Sequence, residues 1–438
     1  MNNIPRTLWE RLKFVGPGVV VVGSVVGSGE VVLTSLLGAA AGFVFLWWIL
    51  ISIWSKSIVQ AEISRYIIVK KETFMEAFSK VPGLSTNIQG KKTSWLVWFL
   101  FLGVIPSVFG MGGIAGAAAQ AGNLLIPEIS TEIWVIICCL LTWMILYWGS
   151  YVTLERILLA MVVFFSFVTL IIAISMQATP YEVTWENIQT GFSFDFPMMY
   201  IGLAIAVYGY TGINSGEIIA YTYWCLEKGY AKEAGNDKNS IKGWIKIMQT
   251  DVWATLFLIT IGTLPFFFLG AGVLNELNLY PPPNGDIILT LVNMFTEVLG
   301  NWAMWLFIIG AFFVLFSTSL SGSAAYTRTI PDYLISTGLV REQTKETRRK
   351  LLRATAFFIP FFTCIVYFLL PNPITLLIIA GVWAAISLPI VNAGTIFLIK
   401  QLDKDLQPKP STVLFLWLTL IFQIVLALFI VYSETVGF

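Results

Sequence analysis

The sequence reads GSVVGSGE at residues 23–30 and YGYTGINSGE at residues 208–217, and both stretches lie inside long apolar segments. Each stretch ends in Ser-Gly-Glu. Glycine inside a helix costs about 1 kcal/mol relative to alanine, and a carboxylate at bilayer depth costs about 2.5–3.5 kcal/mol on insertion scales. Because interrupted backbone is tolerated inside a membrane only where it is buried in protein or lines a cavity, we interpret both stretches as functional breaks in helices.

The composition indicates a membrane protein. Of the 438 residues, 57% are hydrophobic and 12% are charged, compared with about 25% charged in soluble domains. Apolar stretches long enough to cross a hydrocarbon core of about 30 Å recur along the chain. They predict eleven spans, with approximate limits 14–41, 43–68, 95–121, 132–148, 153–178, 198–227, 248–272, 301–325, 354–370, 374–399 and 411–433. A further stretch, 286–300, is predicted to be a short external helix.

The basic residues predict how these spans are oriented. With the N-terminus in the cytoplasm, all 26 Lys and Arg residues except Lys56 and Arg65 fall in predicted inside segments, as expected if basic residues near span ends set topology. The outer segments carry acidic residues, which either attract cations or simply reflect depletion of Lys and Arg from translocated loops. We therefore expect a multi-pass protein of the cell membrane with a cytoplasmic N-terminus and an external C-terminus.

The two breaks occupy equivalent positions in the chain. They fall in the first helices of two five-span units of opposite orientation, residues 14–178 and 198–399, followed by an extra helix at 411–433. Interrupted helices at corresponding positions of two inverted halves point to the binding site of a transporter. We accordingly predict a single transmembrane transporter domain over residues 1–438. Glycines that only allow helices to pack closely are the alternative, but packing does not require the glutamates.

Several other functions are disfavoured by what the sequence lacks. It contains no His, so no imidazole can serve as a base, a proton relay or a ligand. The net charge of +1 gives no reason to expect a nucleic-acid partner. Since no nucleophile–base pair or cofactor motif is found, we expect neither an enzyme nor a cofactor. The expected partners are the lipid bilayer and a small cationic or zwitterionic substrate, without an obligate protein partner; a sensor with the same fold is a weaker alternative.

Further motifs are spread along the chain in a recognisable order. The first span opens with Gly16-Pro17, and the later motifs are QAEISRY at 60–66, LER at 154–156, STSLSG at 317–322 after Gly310, and Leu388-Pro389. Together they resemble the Nramp family of metal-ion transporters over nearly the whole sequence. The resemblance implies an all-α LeuT-type fold, a 5+5 inverted repeat of about eleven transmembrane helices in which helices 1 and 6 are discontinuous.

The chain departs from the family at the metal ligands. Counted from Gly16-Pro17, the Asp-Pro-Gly-Asn of the family corresponds to residues 27–30, so Gly27 stands at the metal-binding Asp and Glu30 at the Asn. The Met-Pro-His of helix six corresponds to residues 215–217, and the Gln of helix ten corresponds to Gly381. The resemblance therefore implies a divergent member, and transport of Mn²⁺ or Fe²⁺ does not follow from ligand identity.

The residues predicted to bind substrate come from the two breaks: Gly27, Ser28, Glu30, Tyr210, Asn214, Ser215 and Glu217. Glu30 and Glu217 are the candidate metal ligands. Oxygen ligands without a thioether favour hard cations, so we expect a secondary active transporter of Mg²⁺ or Mn²⁺, with proton coupling as an option.

An organic substrate is the alternative. An amino acid or amine, coupled to Na⁺ or H⁺, would use a glutamate to hold its amino group and would occupy the room left by Gly27 and Gly381. Lys56 in the second span is open to two interpretations. It either neutralises a site glutamate when substrate is absent, or it extends toward the inner interface.

Overall fold

The protein is described here by a computed structural model, which covers residues 5, 7–148, 151–282, 286–341 and 344–436. Side chains are described except at residues 28, 151–155, 157–159 and 431–436. The first half contains, in order, α1 (Leu8–Leu12), α2 (Pro17–Val25), a π-helical segment (Ser28–Thr34), α3 (Ser35–Ala41), a 3₁₀ turn (Gly42–Phe45), α4 (Leu46–Lys70), α5 (Phe74–Phe78), strands β1 (Ser85–Ile88) and β2 (Lys91–Ser94), α6 (Trp95–Leu102), α7 (Val104–Leu125), α8 (Thr131–Trp148), α9 (Tyr151–Ser175), a 3₁₀ turn (Met176–Ala178) and α10 (Trp185–Gly191).

Among its described residues, the second half consists of helices joined by turns and loops. It contains a 3₁₀ turn (Met198–Tyr200), α11 (Ile201–Tyr210), α12 (Ser215–Glu227), α13 (Tyr230–Ala234), α14 (Lys238–Leu269), a π-helical segment (Gly270–Leu274), α15 (Ile287–Leu299), α16 (Ala303–Ser336), α17 (Lys345–Leu369), α18 (Pro373–Ile399), a 3₁₀ turn (Lys404–Leu406) and α19 (Pro410–Val436). The predicted all-helical architecture is therefore confirmed for the bulk of the chain.

Within the described residues, nine helical runs are long and apolar enough to cross a membrane, as expected of a multi-pass membrane protein. The difference between nine runs and the eleven predicted spans arises at two places in the chain. The run Gly29–Lys70, 42 residues long, joins residues 29–41 of the first predicted span to the second span. The sixth predicted span is divided into α11, with 10 residues, and α12, with 13, each too short to cross a bilayer alone. The count of eleven stays a prediction.

The short helix predicted at residues 286–300 is present as α15. Asp286 Oδ1 accepts hydrogen bonds from the backbone N of Ile288 at 2.8 Å and of Leu289 at 3.2 Å. These bonds satisfy two N–H groups that the first turn of a helix leaves without intrahelical partners. The helix is confirmed, while its location outside the membrane stays a prediction.

A two-stranded hairpin interrupts the helices between α5 and α6 and was not predicted. Strands β1 and β2 pair antiparallel. Gln89 and Gly90 connect them with φ values of +54° and +81°, and a two-residue turn with both φ values positive matches the twist of paired strands. Thr93 Oγ1 donates to Ser336 O at 2.6 Å, so the hairpin contacts the end of α16. Its strands are too short and too polar to show the alternation by which strands are recognised.

Candidate functional site

The first predicted break lies between α2 and the π-helical segment. Helix α2 ends at Val25, and Gly27, with φ −159° and ψ −92°, precedes the π-helical turns. A Cβ atom on Gly27 would lie 1.8 Å from Thr318 Oγ1 and 2.8 Å from Thr318 Cβ on α16. A side chain at residue 27 would therefore require Thr318 to move, and the Thr318 side chain occupies the space where the family's Asp would stand. The side chain of Ser28 lies outside the described residues.

The second predicted break separates α11 from α12. Helix α11 ends at Tyr210, and α12 begins at Ser215. Between them Gly212 has φ +70°, a left-handed conformation that glycine adopts without steric cost. A Cβ atom there would also lie 3.0 Å from Ile53 Cα on α4. Backbone conformation and the close approach of α4 thus both require glycine at residue 212.

Asn214 and Glu217 stabilise the start of α12. Asn214 Oδ1 accepts from Glu217 N at 3.0 Å, and Glu217 Oε2 accepts from Asn214 N at 2.9 Å. This reciprocal pair is a capping box, which satisfies two N–H groups at a helix start. Both residues were predicted to bind substrate, and the structure gives them a structural role that is compatible with that prediction.

Helical hydrogen bonds are missing at the second break, and for one of them two charged side chains bond to the separated donor and acceptor. In a continuous helix, Gly212 N would donate to Tyr208 O. Instead Gly212 N donates to Glu30 Oε1 at 2.8 Å, and Tyr208 O accepts from Lys56 Nζ at 2.5 Å. Glu30 from the first break and Lys56 from α4 therefore stabilise the open backbone of the sixth span.

Glu30 is fully buried, with 0% of its surface exposed. Its Oε1 also lies 3.4 Å from Thr263 Oγ1 on α14, which donates to it. No hydrogen-bond partner of Oε2 is found among the described residues. A buried carboxylate oxygen without a partner is costly, so this atom is available to a ligand or to a proton.

Lys56 is also fully buried, and its ammonium donates to Thr211 O at 2.5 Å and to Ser52 Oγ at 3.3 Å. The interpretation that Lys56 extends toward the inner interface is wrong. Its ammonium is buried and donates to carbonyl oxygens of the second break instead of reaching water. Charge compensation of a site glutamate stays a prediction.

A cavity of about 110 Å³ adjoins the breaks. Four of the predicted residues line it, Tyr210, Asn214, Ser215 and Glu217, and the α2 residues that line it include Ser24. Ser24 Oγ lies 3.5 Å from Glu217 Oε1, to which it donates. The cavity has room for several waters, since one water needs about 10–15 Å³. The described lining does not include Gly27, Glu30 or Lys56.

Helices α7, α16 and α18 contribute lining residues that the sequence analysis did not predict: Met111, Ser321, Tyr326, Trp383 and Ser387. Ser387 Oγ lies 2.7 Å from Ser215 Oγ. Met111 brings the sole sulfur of the described lining. The small polar stretch at 317–322 could have indicated that α16 lines the cavity. An apolar residue such as Met111, on an apolar helix, has nothing in its local sequence that marks it as part of a cavity.

The room that the organic-substrate alternative expected at Gly27 and Gly381 is not available. A Cβ atom on Gly381 would lie 2.4 Å from Ala206 O, and one on Gly209 would lie 1.8 Å from Gly381 O. The backbones of α11 and α18 thus touch at these glycines, as small residues permit in membrane helices. Together with Thr318 at Gly27, this packing fills the space left by the missing side chains, so the premise of a roomier cavity is wrong.

The two glutamates do not share a hydrogen-bonding partner among the described contacts, and Glu217 alone of the pair lines the cavity. In the described part of the chain, no group of three or more His, Cys, Asp or Glu residues is placed to hold a metal ion. A site that uses both Glu30 and Glu217 therefore stays a prediction.

Asp251 on α14 is a fully buried carboxylate that the sequence analysis missed. It accepts from Gly16 N at 3.0 Å, from Gly18 N at 2.8 Å and from the Tyr221 hydroxyl at 2.7 Å. A carboxylate at a helix N-terminus satisfies free N–H groups and the helix dipole. Asp251 therefore holds the start of α2 against α14 and α12. An acid in an otherwise apolar span was the available signal.

A family model described as natural resistance-associated macrophage protein-like (Nramp) matches residues 18–433. A mutant of the manganese transporter of Eremococcus coleocola has a similar structure, with a TM-score of 0.72 and 16% identity, over 99% of this chain and 90% of that chain. MhsT in complex with L-phenylalanine has a TM-score of 0.56 and 14% identity, over 94% and 98% of the two chains.

Mhp1, a nucleobase-cation-symport-1 family transporter, also has a TM-score of 0.56, with 13% identity over 96% of this chain and 93% of that chain. No curated protein sequence matches the chain. The structural likenesses confirm the predicted LeuT-type transporter fold. Because the family model covers nearly the whole sequence, the chain belongs to the Nramp family.

Proposed function

We propose that this protein is a secondary active transporter that moves a hard divalent cation, Mg²⁺ or Mn²⁺, across the cell membrane. Membership of the Nramp family and a fold similar to that of a manganese transporter support a divalent metal-ion transporter. The observation that carries the proposal is the carboxylate of Glu217 in a cavity that also presents hydroxyl and amide groups. Such oxygen ligands favour Mg²⁺ and Mn²⁺ over soft ions. Residues 1–438 would act as one domain, with inverted repeats at 14–178 and 198–399 and an extra helix at 411–433.

In this proposal, one carboxylate oxygen of Glu217 has a structural role and the other binds the cation. Oε2 accepts from Asn214 N at 2.9 Å and maintains the cap of α12, while Oε1 has a long 3.5 Å contact with Ser24. A cation at Oε1 would therefore replace a weak hydrogen bond and leave the cap intact. Mg²⁺ commonly binds through one or two carboxylates and keeps several waters, which the cavity can accommodate.

The distribution of basic residues supports a cytoplasmic N-terminus and an external C-terminus. In that orientation, the cavity residues Trp224 and Tyr333 lie toward the cytoplasmic ends of α12 and α16. We infer that the cavity opens toward the cytoplasm and that this conformation releases or receives substrate there. A cysteine introduced near Lys238 should react with an impermeant reagent only from the inside; labelling from outside the cell would contradict the orientation.

The substrate is tested by isothermal titration and by flux into proteoliposomes with Mg²⁺, Mn²⁺, Ca²⁺, Cd²⁺ and a panel of amino acids and amines. We expect saturable uptake of Mg²⁺ or Mn²⁺ by the wild-type protein, which Glu217→Gln abolishes. Glu182→Gln, at an exposed residue, is the matched control and should transport normally.

An organic substrate is the second candidate, because aromatic rings of Tyr210, Tyr326 and Trp383 line the cavity and can face a cationic amine. It has less support than a metal, since the packing at Gly27 and Gly381 removes the expected room. If Mg²⁺ and Mn²⁺ neither bind nor move while an amine stabilises the purified protein against heat, the organic candidate replaces the metal.

A further inference from the structure

Lys56 has a coordination shell of the kind expected around a bound cation. Its Nζ contacts three oxygens, Tyr208 O and Thr211 O at 2.5 Å each and Ser52 Oγ at 3.3 Å. An ammonium has three N–H donors, so each donor has an oxygen partner. The Tyr208 ring lies 5.1 Å from Nζ and adds a cation–π contact. These partners belong to α4 and to the second break.

The carbonyl groups around Lys56 are the ones that the end of α11 leaves open. The last carbonyls of a helix have no intrahelical partner and form the negative end of its dipole. Tyr208 O would accept from Gly212 N if the helix continued, but Gly212 N donates to Glu30. The break therefore leaves buried carbonyl oxygens without helical partners. These oxygens require a positive charge or a hydrogen-bond donor.

Hard cations take carbonyl and hydroxyl oxygens as ligands, and the same oxygens surround the Lys56 ammonium. Glu30 lies on the other side of the same break, where its Oε1 accepts from Gly212 N at 2.8 Å. Ser52 Oγ itself lies 3.1 Å from both carbonyl oxygens. A free cation at the position of Nζ would meet the same three oxygens.

We propose that the C-terminal end of α11 is a cation site that the chain fills with its own ammonium, Lys56. The wild-type protein therefore needs no free cation at this break. Shortening Lys56 opens a site for a small monovalent cation, with a short primary ammonium ion as the best fit because it replaces both the charge and the three donors. The proposal concerns a position separate from the cavity beside Glu217 and does not depend on which substrate the protein moves.

The test is thermal unfolding of purified Lys56→Ala in ethylammonium, sodium, potassium or choline chloride at equal ionic strength. We expect the variant to melt several degrees below wild type in choline, and to recover most of that loss, saturably, in ethylammonium or another small cation. Wild type and Lys70→Ala, at an exposed residue of the same helix, should respond equally to all four salts. Equal responses of Lys56→Ala and wild type would overturn the proposal.

A second variant decides the case in which Lys56→Ala does not fold in any salt. Lys56→Gln keeps N–H donors of similar reach but lacks the charge. If it is as stable as wild type and indifferent to the cation, a positive charge is not needed there and the proposal is wrong. Loss of stability or cation-dependent recovery supports it. None of these readouts needs divalent-cation flux, so failure of the proposed transport function would leave them unaffected.

Discussion

The two breaks contain the same Ser-Gly-Glu tripeptide, yet their glutamates have different partners. Glu30 is fully buried and accepts from Gly212 N of the other break. Glu217 turns back to Asn214 of its own helix and lines the cavity. The comparison shows that a local motif places a carboxylate at a break, whereas the group that the carboxylate contacts depends on the residue before the motif and on the facing helix.

The residue before the tripeptide explains the difference. Asn214 precedes the second Ser-Gly-Glu and forms a capping box with Glu217, while Gly27 precedes the first and has no side chain to do so. Glu30 is therefore free to reach another element. Thr318 occupies the space where a side chain on Gly27 would stand, so the close approach of α16 maintains the asymmetry.

The largest effect is expected from making the first break resemble the family pattern. Gly27→Asp would force its Cβ to within 1.8 Å of Thr318 Oγ1, and overpacking costs about 1–3 kcal/mol or more. We expect little monodisperse protein and a strongly lowered melting temperature. Adding Thr318→Ala should restore part of the loss, with a double-mutant cycle showing coupling. A Gly27→Asp variant as stable as wild type would show that α16 does not close this position.

The next largest effect is expected when either glutamate is replaced by glutamine, which should reduce cation binding or transport. Glu217→Gln should weaken divalent-cation binding by about tenfold or more, equivalent to at least 1.4 kcal/mol, while folding stays intact because Gln also serves in a capping box. Glu30→Gln should abolish transport with a smaller change in binding, since Glu30 does not line the cavity. Titration and flux on both variants measure this split. If both variants transport normally, the site lies elsewhere.

The free energy of unfolding should then distinguish the structural roles of Glu30 and Glu217. Glu30→Ala leaves the buried Gly212 N–H without its acceptor, which costs about 1–3 kcal/mol. Glu217→Ala removes one hydrogen bond of the capping box, the one from Asn214 N, which costs about 0.5–1.5 kcal/mol. The matching Gln variants retain an acceptor and should lose less in each case. Unfolding of the purified variants tests the order, and an unchanged stability for Glu30→Ala would remove its role at the second break.

The smallest effect is expected at Met111. Met111→Leu conserves volume, which usually costs less than about 1.5 kcal/mol, and it removes the sulfur from the described cavity lining. We expect Mg²⁺ and Mn²⁺ transport to stay within about twofold of wild type while any Cd²⁺ binding weakens, because thioethers favour soft ions. A large loss of Mn²⁺ affinity would instead identify Met111 as a ligand of the transported ion.

Much of the fold followed from local sequence. The length of the apolar stretches identified the membrane spans. A glycine cluster located each break to within a few residues, because glycine lowers the stability of a helix whatever its neighbours are. The hairpin between α5 and α6 was missed because its strands have four residues each. Asp251 and Met111 were missed because their roles depend on contacts with helices distant in the sequence.

The sequence by itself determined the membrane class, the family, the two breaks and the presence of a carboxylate at each, since these depend on composition and on local backbone preference. Tertiary structure alone decided the partners. Helix α16 closes the space at Gly27, α18 touches α11 at Gly381, and Lys56 reaches the open carbonyls of the second break. The physical reason is that a buried charge binds whichever polar groups the packed helices bring within hydrogen-bonding distance, and that packing joins residues far apart in the chain.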